Sequence, residues 1–122
     1  MRTLLVDDAP DLRVLLRTSL EDSGSFAVVG EAENGVEAVE CAARCKPDLV
    51  LLDVSMPRQD GMEALPQILE VSPRSRVVML SAVEAGQLRG TALERGASAY
   101  LEKGIDPERL VEELHAVVRA QV

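Results

Sequence analysis

Five residues in this chain have the types and placing to do chemistry together: Asp7, Asp8, Asp53, Ser81 and Lys103. Asp53 closes the run Asp48-Leu49-Val50-Leu51-Leu52-Asp53, and Pro57 breaks the chain soon after it. An apolar segment of strand length ending on a carboxylate reads as a buried strand that delivers one acid to the rim of a sheet. Asp7 and Asp8 follow a first strand-like run, Asp53 ends a third, Ser81 ends a fourth and Lys103 follows a fifth, so three acids, a hydroxyl and a cation are expected at one rim. Carboxylates that close repel one another, and the cluster must be partly protonated or hold a cation. An all-oxygen set with few protein ligands suits Mg²⁺, which keeps several waters and takes its remaining ligands from a phosphate. With that ion bound, Asp53 can stay ionised and nucleophilic, and an aspartyl phosphate is an accessible product. A transferred phosphoryl group would lie between the metal and Lys103, with Ser81 donating a hydrogen bond to it.

The elements that must place these residues alternate regularly. Thr3–Val6 reads as a first strand, followed by a helix in which Leu12, Leu15, Leu16 and Leu20 recur at helical spacing until Ser23-Gly24. Phe26–Ala32 reads as a second strand weakened by Gly30, and Asn34-Gly35 leads into a helix carrying Val36, Val39, Ala42 and Ala43. Arg44 and Lys46 suit the negative end of that helix, and Pro47 stops it. After the third strand, Asp60 and Glu63 have the spacing of a capping box, and Pro66 predicts a kink or a late start in a helix buried through Leu65, Ile68 and Leu69. Arg76–Ser81 is a fourth strand. A helix over about Glu84 to Arg95 follows it and is weakened by Gly86 and Gly90. Ser98–Glu102 reads as a short edge strand. Asp106 then caps and Pro107 begins a last helix faced by Leu110, Val111, Leu114, Val117 and Val118. Five β-α units of this kind predict a doubly wound α/β domain with helices on both faces of a parallel sheet, its functional groups at the carboxyl ends of the strands.

The whole chain of 122 residues is expected to form one domain. Its net charge of −8 opposes nucleic acid phosphates, and Phe26 and Tyr100 are its only aromatic residues, so direct nucleic acid binding is not expected. No apolar run reaches membrane-spanning length and the first strand meets Asp7 too soon for a signal peptide, which points to a cytoplasmic protein without membrane contact. Cys41 and Cys45 share a helix face without further ligands close in sequence and read as plain reduced thiols. His115 reads as a solvated helix position.

These residues together resemble the receiver domain of two-component response regulators. The marks that carry the resemblance are Asp7-Asp8, Asp53 with Met56-Pro57 and Gly61 after it, Ser81-Ala82, and Gly96-Ala97-Ser98-Ala99-Tyr100-Leu101-Glu102-Lys103. They run through nearly the whole chain. The resemblance implies a flavodoxin-like strand order 2-1-3-4-5 and a phospho-acceptor role for Asp53, the donor being a sensor histidine kinase or a phosphotransfer protein. It further implies Mg²⁺ held by Asp8, Asp53 and the backbone carbonyl of Ser55, with Asp7 at or beside the ion. Lys103 would contact the phosphate, Ser81 would move toward it and Tyr100 would turn inward. These movements would change the face made by the fourth helix, fifth strand and fifth helix. A downstream effector or output domain would read that face, with homodimerisation on phosphorylation as one form of response. The two glycines in the fourth helix fit a segment whose two states differ little in energy. The style of the fifth unit leans toward receivers of helix-turn-helix transcription regulators.

Two departures stand out. Gly104 follows Lys103 where many family members have proline, so no cis peptide is expected by analogy, and Ser55 and Val83 occupy positions where the family tunes the access of hydrolytic water. Two other functions compete with a phosphorylation-controlled module. A metal-dependent phosphohydrolase would use the same aspartyl chemistry, but it wants a second aspartate two positions after the nucleophile, where this chain has Ser55. A receiver-like binding domain that has lost phosphorylation would not need the site residues that are present here.

Overall fold

The computed structural model describes residues 1–54, 56, 60–81 and 88–120. Expectations for Ser55, Pro57, Ala82, Val83, Gly86 and the beginning of the fourth helix at Glu84 fall outside the described residues. Five strands, β1 (Arg2–Val6), β2 (Ala27–Ala32), β3 (Leu49–Asp53), β4 (Arg76–Ser81) and β5 (Ala99–Glu102), form one parallel sheet in the order β2-β1-β3-β4-β5. Between and after them lie α1 (Pro10–Asp22), α2 (Gly35–Cys45), α3 (Gly61–Val71), α4 (Arg89–Glu94) and α5 (Pro107–Ala120). This is the expected doubly wound, flavodoxin-like arrangement.

The nearly unbroken apolar strands are explained by burial on both faces, with side chains alternating between them. Leu4, Val6, Val50, Leu52, Val77 and Met79 face one cluster, which also takes in Ala38 and Ala42 of α2, Leu65 and Ile68 of α3, and Tyr100. Leu5, Leu49, Leu51, Val78 and Leu80 face the other, closed by Leu16 and Leu20 of α1 and by Leu110 and Leu114 of α5. Every residue of β3 is buried, so its register fixes Asp53 at the rim: a slip by one residue would exchange the two faces.

Helix ends follow local chemistry. Asn34 accepts from Glu37 N at the start of α2, Asp60 accepts from Glu63 N at the start of α3, and Asp106 Oδ1 accepts from Glu108 N at the start of α5. Lys46 ends α2 in a left-handed conformation (φ 46°), and its ammonium donates to the Val71 carbonyl at the end of α3. Gly30 leaves β2 without a side chain where Cys41 of α2 rests: a Cβ there would lie 2.6 Å from Cys41 Sγ. The glycine that weakens the strand thus lets the helix come close.

Several expectations need correction. α3 starts at Gly61, directly after its cap, and runs through Pro66 instead of starting late. Proline removes the donor that would meet the Met62 carbonyl, and Arg95 Nη1 donates to that oxygen instead, at 2.9 Å. Leu15 is 51% exposed, because the buried stripe of α1 runs through Leu12, Leu16 and Leu20 and position 15 lies about a sixth of a turn or more to the solvent side. Ala43 is exposed for the same reason, one position past Ala42. His115 is half-buried, its ring meeting Phe26 edge-on with centroids 5.3 Å apart, since α5 covers the chain entering β2. Phe26 itself lies just before β2, and β5 begins at Ala99, one residue later than the composition suggested.

The link between Arg95 and α3 gives a first expected result. Arg95→Ala should lower stability by about 1–2 kcal/mol in urea unfolding, the cost of leaving a buried carbonyl without a donor. In a Pro66→Ala background the helix regains its own donor and the same substitution should cost less than about half as much. Equal costs in both backgrounds would show that Arg95 does not serve this carbonyl.

Candidate functional site

The site is built by strand register. β1 and β3 end side by side with Val6 opposite Leu52, and β3 ends with Asp53 opposite Leu80. Backbone bonds continue the ladder past the strands: Asp7 N donates to Ala32 O at 3.0 Å, Val54 N to Leu80 O at 3.0 Å and Lys103 N to Ser81 O at 2.8 Å. Asp7, Asp53, Ser81 and Lys103 are thereby brought to one rim by β1, β3, β4 and β5, as their places in the sequence predict. Asp8 joins them as the exposed residue of the acidic pair.

Asp53 is 1% exposed, and its Oδ2 accepts from Lys103 Nζ at 2.7 Å. The same ammonium lies 3.1 Å from Asp7 Oδ2. Burial works against the Lys103 charge, and the bonds and charges of Asp53 and Asp7 outweigh it, so its pKa is raised above the ordinary lysine value. The lysine therefore stays cationic throughout the physiological range.

Asp7 is pinned on every side. Its Oδ1 accepts from Ala9 N at 2.8 Å, and its carbonyl accepts from the guanidinium of Arg13. Arg13 Nε in turn donates to Glu31 of β2 at 3.1 Å, and Glu31 also accepts from Arg17. The Lys103 ammonium lies beside Asp7 Oδ2, and that buried oxygen has no other partner among the described residues. One oxygen from each of Asp7, Asp8 and Asp53 lies within 4.8 Å of the others. A buried acceptor with only that ammonium beside it, in a set of carboxylate oxygens this tight, fits a hard cation that prefers oxygen ligands. Ser55, expected to add a backbone carbonyl, lies outside the described residues.

Gly61 sets the depth of Asp53. Its N donates to Val54 O at 2.8 Å, and a Cβ built on it would stand 2.1 Å from the Asp53 carbonyl oxygen. The first turn of α3 therefore rests on the backbone of the rim acid. Ser81 is buried at the end of β4. Tyr100 is 3% exposed on β5, with its hydroxyl buried and without a hydrogen-bond partner among the described residues. Gly104 follows Lys103 with φ +84°, and no cis peptide occurs among the described residues. Sequence reasoning found the five rim residues but not Arg13. Its only signal is a basic residue in the second turn of α1, since the reach of its side chain back to a carbonyl cannot be read from spacing.

Among the described residues no helix is long and apolar enough to cross a membrane. The family model for the response regulator receiver domain matches residues 3–115. The chain is 39% identical over 119 residues to the chemotaxis protein CheY of Listeria monocytogenes, covering 98% of this chain and 99% of that one. It is likewise 39% identical to the nitrate/nitrite response regulator protein NarL of Escherichia coli, where the match covers 98% of this chain and 55% of the relative. Among solved structures, CheY in the CheX-CheY-BeF₃-Mg²⁺ complex of Borrelia burgdorferi superposes with a TM-score of 0.87 at 31% identity, covering 97% of this chain and 89% of that one. Strand order, rim chemistry and these matches agree, and the chain belongs to the response regulator receiver domain family.

Proposed function

We propose that Asp53 is the phospho-acceptor of a Mg²⁺-dependent switch, and that the chain from 1 to 122 acts as one such module. The observation that carries this reading is the buried Asp53 carboxylate held 2.7 Å from Lys103 beside two further acids. A carboxylate oxygen of Asp53 attacks the phosphorus of a phosphohistidine on a sensor kinase or phosphotransfer protein. The phosphorus–nitrogen bond breaks, and the imidazole leaves with the electron pair. Lys103 exchanges its contact with Asp53 for a phosphoryl oxygen, and Ser81 Oγ donates to another. Asp8 and Asp53, with Asp7 beside them, would hold Mg²⁺, which would supply positive charge near the transferring group. Tyr100, whose buried hydroxyl has no partner among the described residues, reports the change to the surface of α4, β5 and α5. A downstream effector, an output domain or a second copy of the chain reads that surface. The catalysis involved is confined to the module's own phosphoryl uptake and loss.

Beryllofluoride, which completes a carboxylate into an acyl-phosphate mimic, tests this reading. With Mg²⁺ present, amide resonances of Asp53, Ser81, Tyr100 and Lys103 should move to a second set of positions in slow exchange. Neither reagent alone should produce this set. Spectra unchanged with both present would contradict the proposal.

A further inference from the structure

Away from the acid cluster, Cys41 and Cys45 stand one turn apart on α2 with their sulfurs 3.8 Å from each other. Both thiols are free; Cys41 is 5% exposed and Cys45 is half-buried. They converge over Gly30 of β2: a Cβ there would come within 2.6 Å of Cys41 Sγ and 3.9 Å of Cys45 Sγ, while the Leu4 side chain closes the same spot at 3.3 Å. The strand glycine thus leaves room for two sulfurs and little else.

Helix geometry decides what such a pair can do. Residues four apart on a helix have Cβ atoms about 5–6 Å apart, whereas a disulfide needs them at about 3.5–4.5 Å. A disulfide would therefore unwind the last turn of α2, which Lys46 and the backbone bond from Lys46 N to Ala42 O hold in place. A centre bound at the usual metal–thiolate length of about 2.3 Å spans sulfur separations from roughly 3.8 Å at a tetrahedral angle to roughly 4.6 Å when linear. The observed separation lies at the near end of that range. Among the described residues, Asp7, Asp8 and Asp53 form the one group of three or more potential ligands, so nothing beside the thiols completes a four-coordinate zinc site.

We infer that Cys41 and Cys45 form a two-thiolate chelate for one soft centre of low coordination number, the class that monovalent copper and trivalent arsenic represent. Binding displaces one proton from each thiol and changes no oxidation state. Burial raises the pKa of Cys41, with the neighbouring Cys45 adding to the effect.

The probe is phenylarsine oxide, whose arsenic exchanges its oxygen for two thiolates with release of one water and stays trivalent. Native mass spectrometry of the folded chain, with one equivalent of reagent and a large excess of glutathione, should show one adduct with the mass of the reagent less one water. Cys41→Ser and Cys45→Ser should each retain the reagent at least about tenfold less well, because the second bond is made within the molecule. The chain unfolded in urea should also retain it more weakly than the folded chain. Loss of the native adduct to glutathione, undiminished retention in either serine variant, or equal retention by the unfolded chain would each overturn the inference.

Discussion

Replacing Gly61 by alanine is expected to cost the fold about 3 kcal/mol and to weaken Mg²⁺ binding by at least about tenfold. The added methyl would meet the Asp53 carbonyl oxygen at 2.1 Å, the Asp53 carbonyl carbon at 2.9 Å and Val54 Cα at 3.0 Å. All three are backbone atoms of a buried strand end, so no side chain can swing away to relieve the contact. Either α3 lifts from the sheet or the end of β3 moves. Overpacking of this kind costs about 1–3 kcal/mol and more where the backbone must shift. The upper part of the range applies here because the added methyl would also strain the 2.8 Å bond from Gly61 N to Val54 O. Urea unfolding checks the first effect, and calorimetric titration with Mg²⁺ the second. Wild-type stability and wild-type affinity together would show that the contact between α3 and Asp53 is softer than the geometry implies.

Lys103→Ala should act in the opposite directions on metal binding and on phosphorylation. The ammonium neutralises Asp53 at 2.7 Å and Asp7 at 3.1 Å, both of them buried carboxylates. Removing one partner of a buried pair costs about 3–5 kcal/mol. Lys103 keeps 20% exposure, so the expected loss in a chelator-treated sample falls at or just below the lower limit of that range, about 2–3 kcal/mol. Millimolar Mg²⁺ should restore most of it, because a divalent ion takes over the same charge, and the variant should bind Mg²⁺ more tightly than wild type. Phosphorylation should nevertheless slow by roughly 10²–10³-fold, the usual effect of removing one preorganised group that meets developing phosphoryl charge. Thermal unfolding with and without Mg²⁺, beside the rate of phosphoryl incorporation, separates the effects. A loss of stability that Mg²⁺ does not repair would mean that Lys103 supports the fold by packing alone.

The rim acids were legible because burial on both faces forces β3 to be apolar until the chain leaves the sheet. A carboxylate ending such a run can only be at an end of the strand, and parallel order then brings Asp7, Ser81 and Lys103 to the same side. The caps Asp60 and Asp106 were equally legible, since each acts on a backbone group two or three residues away. What remained hidden depends on distances across the fold. Arg13 reaches the Asp7 carbonyl and Glu31 together, and Arg95 supplies a donor to α3 from 33 positions along the chain. Leu15 misled because helical periodicity says which residues share a face but not how wide a stripe the neighbouring elements cover. His115 misled because its aromatic neighbour, Phe26, comes from the other end of the chain.

Intact-mass spectrometry after incubation with acetyl phosphate tests the central claim most directly, comparing the chain with Asp53→Ala in the presence and absence of Mg²⁺. A single labile phosphoryl adduct that requires Mg²⁺ and disappears in Asp53→Ala is the expected result. An adduct of equal size in Asp53→Ala, or one that forms as well without the metal, would contradict the assignment of Asp53 as acceptor in a Mg²⁺-dependent site.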